Sequence, residues 1–256
     1  MTSHRIPHRP AGDSFEVGRV PSAVADWRVR RDDDVLWVQG AMHDNAEHAH
    51  HALQLVFARK PAKVESPSGT VEACAIAIEG GSPHRLELED GLVALVEAES
   101  VVARALRAGP LVAATIVALA PPDREPTLEN ADAILRALAP TDSVKPLDPR
   151  LRRVLVWLGQ LETEGNLRDA ELAGALAKTR LSESRFLHLF TEQVGTPWRR
   201  YLVWRRALHA MERALAGASL TEAAHAAGYA DGAHLSRQFR ELFGYTPSAS
   251  LRRFTR

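Results

Sequence analysis

Leu220 to Leu251 reads LTEAAHAAGYADGAHLSRQFRELFGYTPSASL. Two short helical patterns meet in it at Ala227-Gly228-Tyr229. Leu220, Ala223, Ala224 and Ala227 recur at helical spacing in the first. Leu235, Phe239 and Leu242 do so in the second, with Phe243 widening the apolar face. Gly228 suits the left-handed residue that ends one helix and turns the chain into the next. Two helices joined by a tight glycine turn have the form of a helix-turn-helix, whose second helix enters the DNA major groove. The outward face of that helix would carry Asp231, Gly232, Ala233, His234, Ser236, Arg237 and Arg240. A plain helical hairpin has the same pattern, so this stretch alone does not decide between them.

A second copy does. Leu172 to Gly195 reads LAGALAKTRLSESRFLHLFTEQVG. An alanine-rich helix is again followed by a polar turn. The next helix again points Phe186, Leu189, Phe190 and Val194 inward. In each copy a phenylalanine precedes a glycine and then Thr-Pro, at Thr196-Pro197 and Thr246-Pro247. This is a weak internal repeat. With it, the residues resemble the AraC/XylS family of bacterial transcription regulators over roughly Asp148 to Arg253. The family's C-terminal signature is matched by Ala223, Ala227-Gly228-Tyr229, Leu235, Arg237, Phe239, Phe243-Gly244, Thr246-Pro247 and Arg252. Leu251 departs from it, since the family usually has an aromatic residue there, and a packing change is expected.

Composition agrees. The 256 residues suffice for two domains, and the formal net charge is zero. The charge is unevenly spread. Residues 148–256 hold 17 Lys and Arg against 11 Asp and Glu, a balance of +6, so the remainder carries −6. Such asymmetry fits one half that meets DNA and one that does not. Nearly all the bases of the second half are arginine, suited to phosphate and guanine. The one cysteine, Cys74, permits no internal disulfide and is expected as a buried thiol in a reducing cytosol. No signal peptide is expected, and Leu111 to Ala120 is too short to span a bilayer.

Residues 1–14 read as a polar, Pro-rich arm. Strand signals follow at Phe15 to Val20, Asp26 to Arg31, Val35 to Gln39, His51 to Arg59, Ala62 to Glu65, Val71 to Ile78, Arg85 to Glu89 and Val93 to Glu97. Turn signals separate them at Asp32-Asp33-Asp34, Pro67-Ser68-Gly69, Gly80-Gly81-Ser82-Pro83 and Asp90-Gly91. Many short strands indicate a sandwich or barrel. Within them His48-x-His50, then Gln54, resembles the first motif of the cupin barrel, and His84 resembles the histidine of the second. Alternation along a strand would put His48 and His50 on one face. The resemblance implies a divalent metal (Zn²⁺, Fe²⁺ or Ni²⁺) on His48, His50, His84 and Gln54, or an effector pocket at the same place. Gln54 stands where metal-binding cupins have Glu, and the second motif is partial.

From Ala98 to Ala139 the period turns helical. Three apolar segments start at Val101, Leu111 and Ala131. The resemblance implies dimerisation helices here, and packing against the barrel is the plainer role. Pro140 to Pro149 is a proline-rich linker. Asp148 can cap the next helix, with Pro149 at its first position. That helix is expected over Arg150 to Glu162, a support helix over Asp169 to Lys178, and a recognition helix over Glu183 to Val194 with Ser182 as cap. A helix from Pro197 to about Ala216 would separate the two motifs by roughly 30 Å. Successive major-groove faces lie about 34 Å apart. Arg199, Arg200, Arg205 and Arg206 are expected on phosphate. Carried over from the family, the DNA-contacting residues are Ser184, Arg185, Leu187, His188, Thr191, Gly232, Ala233, His234, Ser236 and Arg237.

The expected architecture is therefore α+β. A cupin-like sensor and dimerisation domain (15–139) precedes an all-α domain with two helix-turn-helix motifs (150–256). The expected function is a sequence-specific, cytoplasmic transcription regulator without enzymatic activity. Its expected partners are double-stranded DNA, a small-molecule or metal effector, a second copy of itself and, if it activates, RNA polymerase. Two other readings compete. A metal-dependent cupin enzyme with a helical appendage would need the motif residues that are missing here. An assembly protein binding only protein would show no salt-dependent DNA affinity.

Overall fold

The computed structural model describes residues 27–32, 34–112, 114–138 and 144–254. The expected arm, the Phe15 to Val20 strand and part of the linker lie outside them. The contacts divide the chain into two compact units. One comprises Lys145–Gln238. The other joins the described residues from Trp27 to Val144 with those from Phe239 to Phe254.

The N-terminal part is antiparallel sheet: β1 (Arg28–Arg31), β2 (Val35–Gln39), β3 (Leu53–Ser66), β4 (Gly69–Ile78), β5 (Arg85–Glu87), β6 (Gly91–Val96) and β7 (Ile116–Ala118). The strands run in the order β1-β2-β6-β3-β4-β7, with β5 also on β3. Two expected strands, His51 to Arg59 and Ala62 to Glu65, are one strand that slips register between Phe57 and Ala62. The slip falls beside Pro61, which has no N–H to give the ladder. The apolar segment after Pro110, expected to be helical, contributes β7, paired with β4 through Ile78 and Ile116. Before the slip, residues 53–57 of β3 alternate between the two faces. Leu53, Leu55 and Phe57 join Trp37, Ala77 and Ala94 in a core covered by α1 (Val101–Ala108) and α2 (Ala131–Leu138). Gln54 and Val56 point to the other face and are equally buried. Cys74 is only half-buried, not in the core as expected.

The helical series after residue 145 keeps close to the expected boundaries, and its last part, from Phe239, groups with the sheet. It begins with α3 (Pro149–Thr163), whose Asp148 cap accepts from the Arg150 N–H at 2.8 Å. Then come α4 (Leu172–Thr179), α5 (Glu183–Val194), α6 (Trp198–Leu215), α7 (Leu220–Ala226) and α8 (Gly232–Phe243). A last helix, α9 (Pro247–Arg253), was not anticipated. Thr246 caps it through the Ala249 N–H at 3.2 Å. A full capping box of Ser219 and Glu222 starts α7.

Candidate functional site

Recognition helix α5 is seated by aromatic rings. Phe186 and Phe190 meet Trp198 of α6 edge-on at centroid distances of 5.3 and 5.2 Å, and Phe190 meets Tyr201 at 5.3 Å. These residues are fully buried or nearly so. The opposite face is left to solvent. Ser184, Arg185, His188 and Thr191 are exposed there, and Leu187 is half-buried. Ser182 occupies the cap position but makes no side-chain capping bond.

In the second motif Gly228 takes φ +81° between α7 and α8. A Cβ there would lie 3.0 Å from the Arg168 Cα, so both conformation and space require glycine. On α8, Ala233 and Arg237 are exposed, while Gly232, His234 and Ser236 are half-buried. Asp231 is exposed as expected, and it also has a structural role. Its carboxylate accepts the His234 N–H at 2.6 Å and caps α8, and these backbone bonds hold its pKa below the usual range. The His234 ring stands edge-on to Tyr229 at 5.2 Å.

Four arginines were expected on phosphate. Arg199 and Arg200 are exposed as that role requires. Arg205 is not, at 7 % exposure. Its guanidinium grips both oxygens of Glu162 on α3 and donates to the Tyr201 hydroxyl at 2.7 Å. It ties α6 to α3. Arg206 is half-buried and donates to the Leu167 carbonyl at 3.4 Å.

The histidines converge. His48, His50 and His84 are all buried, and each offers a ring nitrogen such that the three lie within 4.8 Å of one another. His48 and His50 do not sit on a strand as expected. They lie in the segment leading into β3, where His48 pairs with His84 by two backbone bonds of 3.0 and 2.9 Å. Asn45, which no sequence signal marked, locks this segment from inside. Its amide donates to Leu86 O at 2.6 Å and accepts from Leu86 N at 3.1 Å.

Each ring is oriented by a backbone carbonyl two residues away. The Nδ1 atoms of His48, His50 and His84 stand 2.9 Å from the carbonyls of Ala46, Ala52 and Ser82 respectively. Each Nδ1 therefore carries the proton, leaving Nε2 as a bare lone pair. Gln54 reaches the same point, with Oε1 2.6 Å from His50 Nε2 and 3.3 Å from His84 Nε2. Burial lowers the pKa of His48 to about 4, of His50 to about 3 and of His84 to about 4, and neighbouring imidazoles add to the effect. All three are neutral near pH 7. A neutral His50 has one N–H but two oxygen neighbours. The conflict is relieved if the Gln54 amide turns its NH₂ inward or if a cation sits among the four groups. Three neutral imidazoles with carbonyl-fixed tautomers are a donor set that fits zinc, iron or nickel.

The chain's relatives agree with this architecture. Residues 176–253 match the family described as a helix-turn-helix domain. The chain carries an AraC-type helix-turn-helix domain at its C-terminal end and is a DNA-binding transcriptional regulator. In fold it is similar to ToxT of Vibrio cholerae. An apo ToxT variant from strain SCE256 gives a TM-score of 0.54 at 13% identity, covering 88% of this chain and 99% of that one. Wild-type ToxT of that strain, described as unsaturated fatty acid bound, gives 0.52 at 11%, covering 88% and 97%. ToxT of strain O395, bound to (E)-4-(8-methylnaphthalen-1-yl)but-3-enoic acid, gives 0.50 at 12%, covering 87% and 100%. No curated protein sequence matches the chain. Among the described residues no helix is long and apolar enough to cross a membrane.

Proposed function

We propose that this regulator reads double-stranded DNA through the exposed faces of α5 and α8, and that His48, His50, His84 and Gln54 bind a divalent metal ion that acts as effector or as anchor for one. The observation carrying the second part is the cluster itself, three buried histidines whose ring nitrogens lie within 4.8 Å of one another, each with its Nδ1 on a backbone carbonyl so that Nε2 is left for an ion. In this reading the metal supplies a positive charge and open coordination positions. The chain's own part is to hold three imidazoles neutral, fixed and dry.

The alternative effector is a carboxylate, as in the ligand-bound ToxT structures. Three neutral imidazoles have no charge with which to hold one. A bound cation would provide it, so the two readings converge on the metal. On DNA, Ser184, Arg185, Leu187, His188 and Thr191 of α5 make one contact set, and Gly232, Ala233, His234, Ser236 and Arg237 of α8 the other. Arg237 is the best placed for bidentate pairing with guanine. The reading is of a cytoplasmic, non-enzymatic homodimer that meets RNA polymerase if it activates. Dimerisation would use the sheet domain's helices, where Val101 is an exposed large apolar residue. The domain limits of 15–139 and 150–256 are kept as functional limits.

The test of the metal is elemental analysis of protein purified without chelators, beside His50→Ala. About one metal per chain in the wild type, lost in the variant, is the expected result. No metal in either, and none taken up on add-back, would overturn the metal reading and leave the DNA reading standing.

A further inference from the structure

His48 stands at the head of a chain of contacts that leads out of the histidine cluster. Its Nδ1 donates to the Ala46 carbonyl at 2.9 Å. The N–H of the same Ala46 donates to the carbonyl of Gly244, just past the end of α8, at 3.0 Å. The Ala49 N–H donates to the Glu241 carbonyl at 3.1 Å. The Tyr245 hydroxyl donates to the His43 carbonyl at 2.6 Å. Gly244 has φ +73°, and a Cβ on it would lie 2.5 Å from Ala46 O and 2.9 Å from His48 Nδ1. Only glycine allows that approach. Beyond it, Trp27 meets Tyr245 and Phe254 edge-on at 5.4 and 5.5 Å, and the Arg253 guanidinium lies 4.8 Å from the Tyr245 ring. All these residues belong to the compact unit of the sheet. The end of the second recognition helix and the Gly244-Tyr245 turn are therefore seated on the segment that supplies two of the three histidines, and the end of α9 is seated beside them on Trp27.

We propose that a divalent cation on His48, His50 and His84 tightens the docking of residues 239–254 on residues 43–50, and that this docking in turn tightens the cation. The inference rests on the metal reading above. Two mechanisms support it. Two ligands of one zinc ion lie at most about 4.2 Å apart, twice a bond of about 2.1 Å. The ring nitrogens here lie within 4.8 Å of one another, close to that limit, so a loaded ion holds the three rings to one point and fixes the His48 ring. Coordination at Nε2 also makes the Nδ1–H a stronger donor to Ala46. The residue that holds the His48 ring, Ala46, also donates its N–H to Gly244, so fixing the ring fixes the backbone on which Gly244 rests. The same helix α8 carries Ser236 and Arg237 two turns back, so the metal reaches a DNA-reading element without touching DNA. By linkage, whatever the metal does for the docking the docking does for the metal.

The test is hydrogen exchange of the full-length protein, read by mass spectrometry, with the metal stripped and with ZnCl₂ added. Amides of residues 239–254 are expected to exchange about fivefold more slowly or better with zinc, while those of residues 172–195 serve as reference. Zinc affinity, measured by competition with a chromophoric chelator, is expected to fall about fivefold or more in Gly244→Ala. Zinc affinity of Tyr245→Phe, which keeps the ring packing and loses the hydroxyl's bonds to His43 and Asn45, is expected to fall in the same direction and guards against misfolding of the first variant. Stoichiometric zinc binding with unchanged exchange at 239–254, and wild-type affinity in both variants, would overturn the coupling alone. Zinc that does not bind the wild type would remove the metal reading and the coupling with it.

Discussion

Arg205→Ala separates a structural from a DNA-binding role for an arginine in the middle of α6. The residue is 7 % exposed. It makes a two-pronged ion pair with Glu162, a 2.7 Å bond to the Tyr201 hydroxyl, and stacks 5.6 Å from that ring's centre. Removing one member of a buried pair costs about 3–5 kcal/mol, because the other is left uncompensated. Glu162 keeps 22 % of its side-chain exposure and so recovers part of its hydration. The expected loss is therefore about 2–3 kcal/mol, just below that range. Urea unfolding followed by tryptophan fluorescence measures it, since Trp198 and Trp204 lie on the same helix. Arg205→Met combined with Glu162→Leu is expected to regain most of the loss, as replacing both charges leaves no orphan. The folded single variant is expected to keep the wild-type salt dependence on DNA. A loss below about 1 kcal/mol, with the salt slope reduced by about one, would refute the strut and restore the phosphate role.

Two further outcomes follow from the same geometry. Arg237→Ala is expected to weaken specific DNA binding by about 1–3 kcal/mol and relax the preference at one base, seen by fluorescence anisotropy against a selected site and its point variants. The metal-free protein is expected to lose stability on acidification from about pH 6.5 toward pH 4. The folded histidines have pKa values near 4, 3 and 4, against 6.5 when unfolded. In that window the unfolded chain takes up protons that the folded one refuses, so stability falls with pH there and is flat above it. The urea midpoint against pH reports this, and its slope should lessen in His50→Ala.

The helical half was legible because its signals are local. The 3.6-residue period, the Asp148-Pro149 start and the Gly195 and Gly228 stops place α3, α5 and α6 within a residue or two of where they lie. The helix α9 was missed although Thr246-Pro247 repeats the Thr196-Pro197 that opens α6. The sheet was legible in number and less so in extent. Lys60-Pro61 looks like a break, and only pairing with β4 and β6 carries β3 through it. The run around Ile116 has too few residues to show a period, and its partner in β4 decides that it is a strand. His48-x-His50 stood out by residue type, but its meeting with His84 depends on two backbone bonds between distant segments. Nothing in the sequence separates Arg205 from its exposed neighbours Arg199 and Arg200. What distinguishes it is Glu162, 43 residues earlier in the chain. The contact of Gly244 with Ala46 was invisible for the same reason, since it joins the two ends of the sequence.

The measurement that tests the central claim most directly is a titration of the intact protein with selected double-stranded DNA across roughly 50–300 mM salt. Arginines on two reading helices and on α6 predict an affinity that falls steeply and linearly on logarithmic axes, with a slope of several units. It also predicts a clear preference over scrambled DNA at every salt concentration. A flat response, or equal binding to selected and scrambled DNA, would contradict the account.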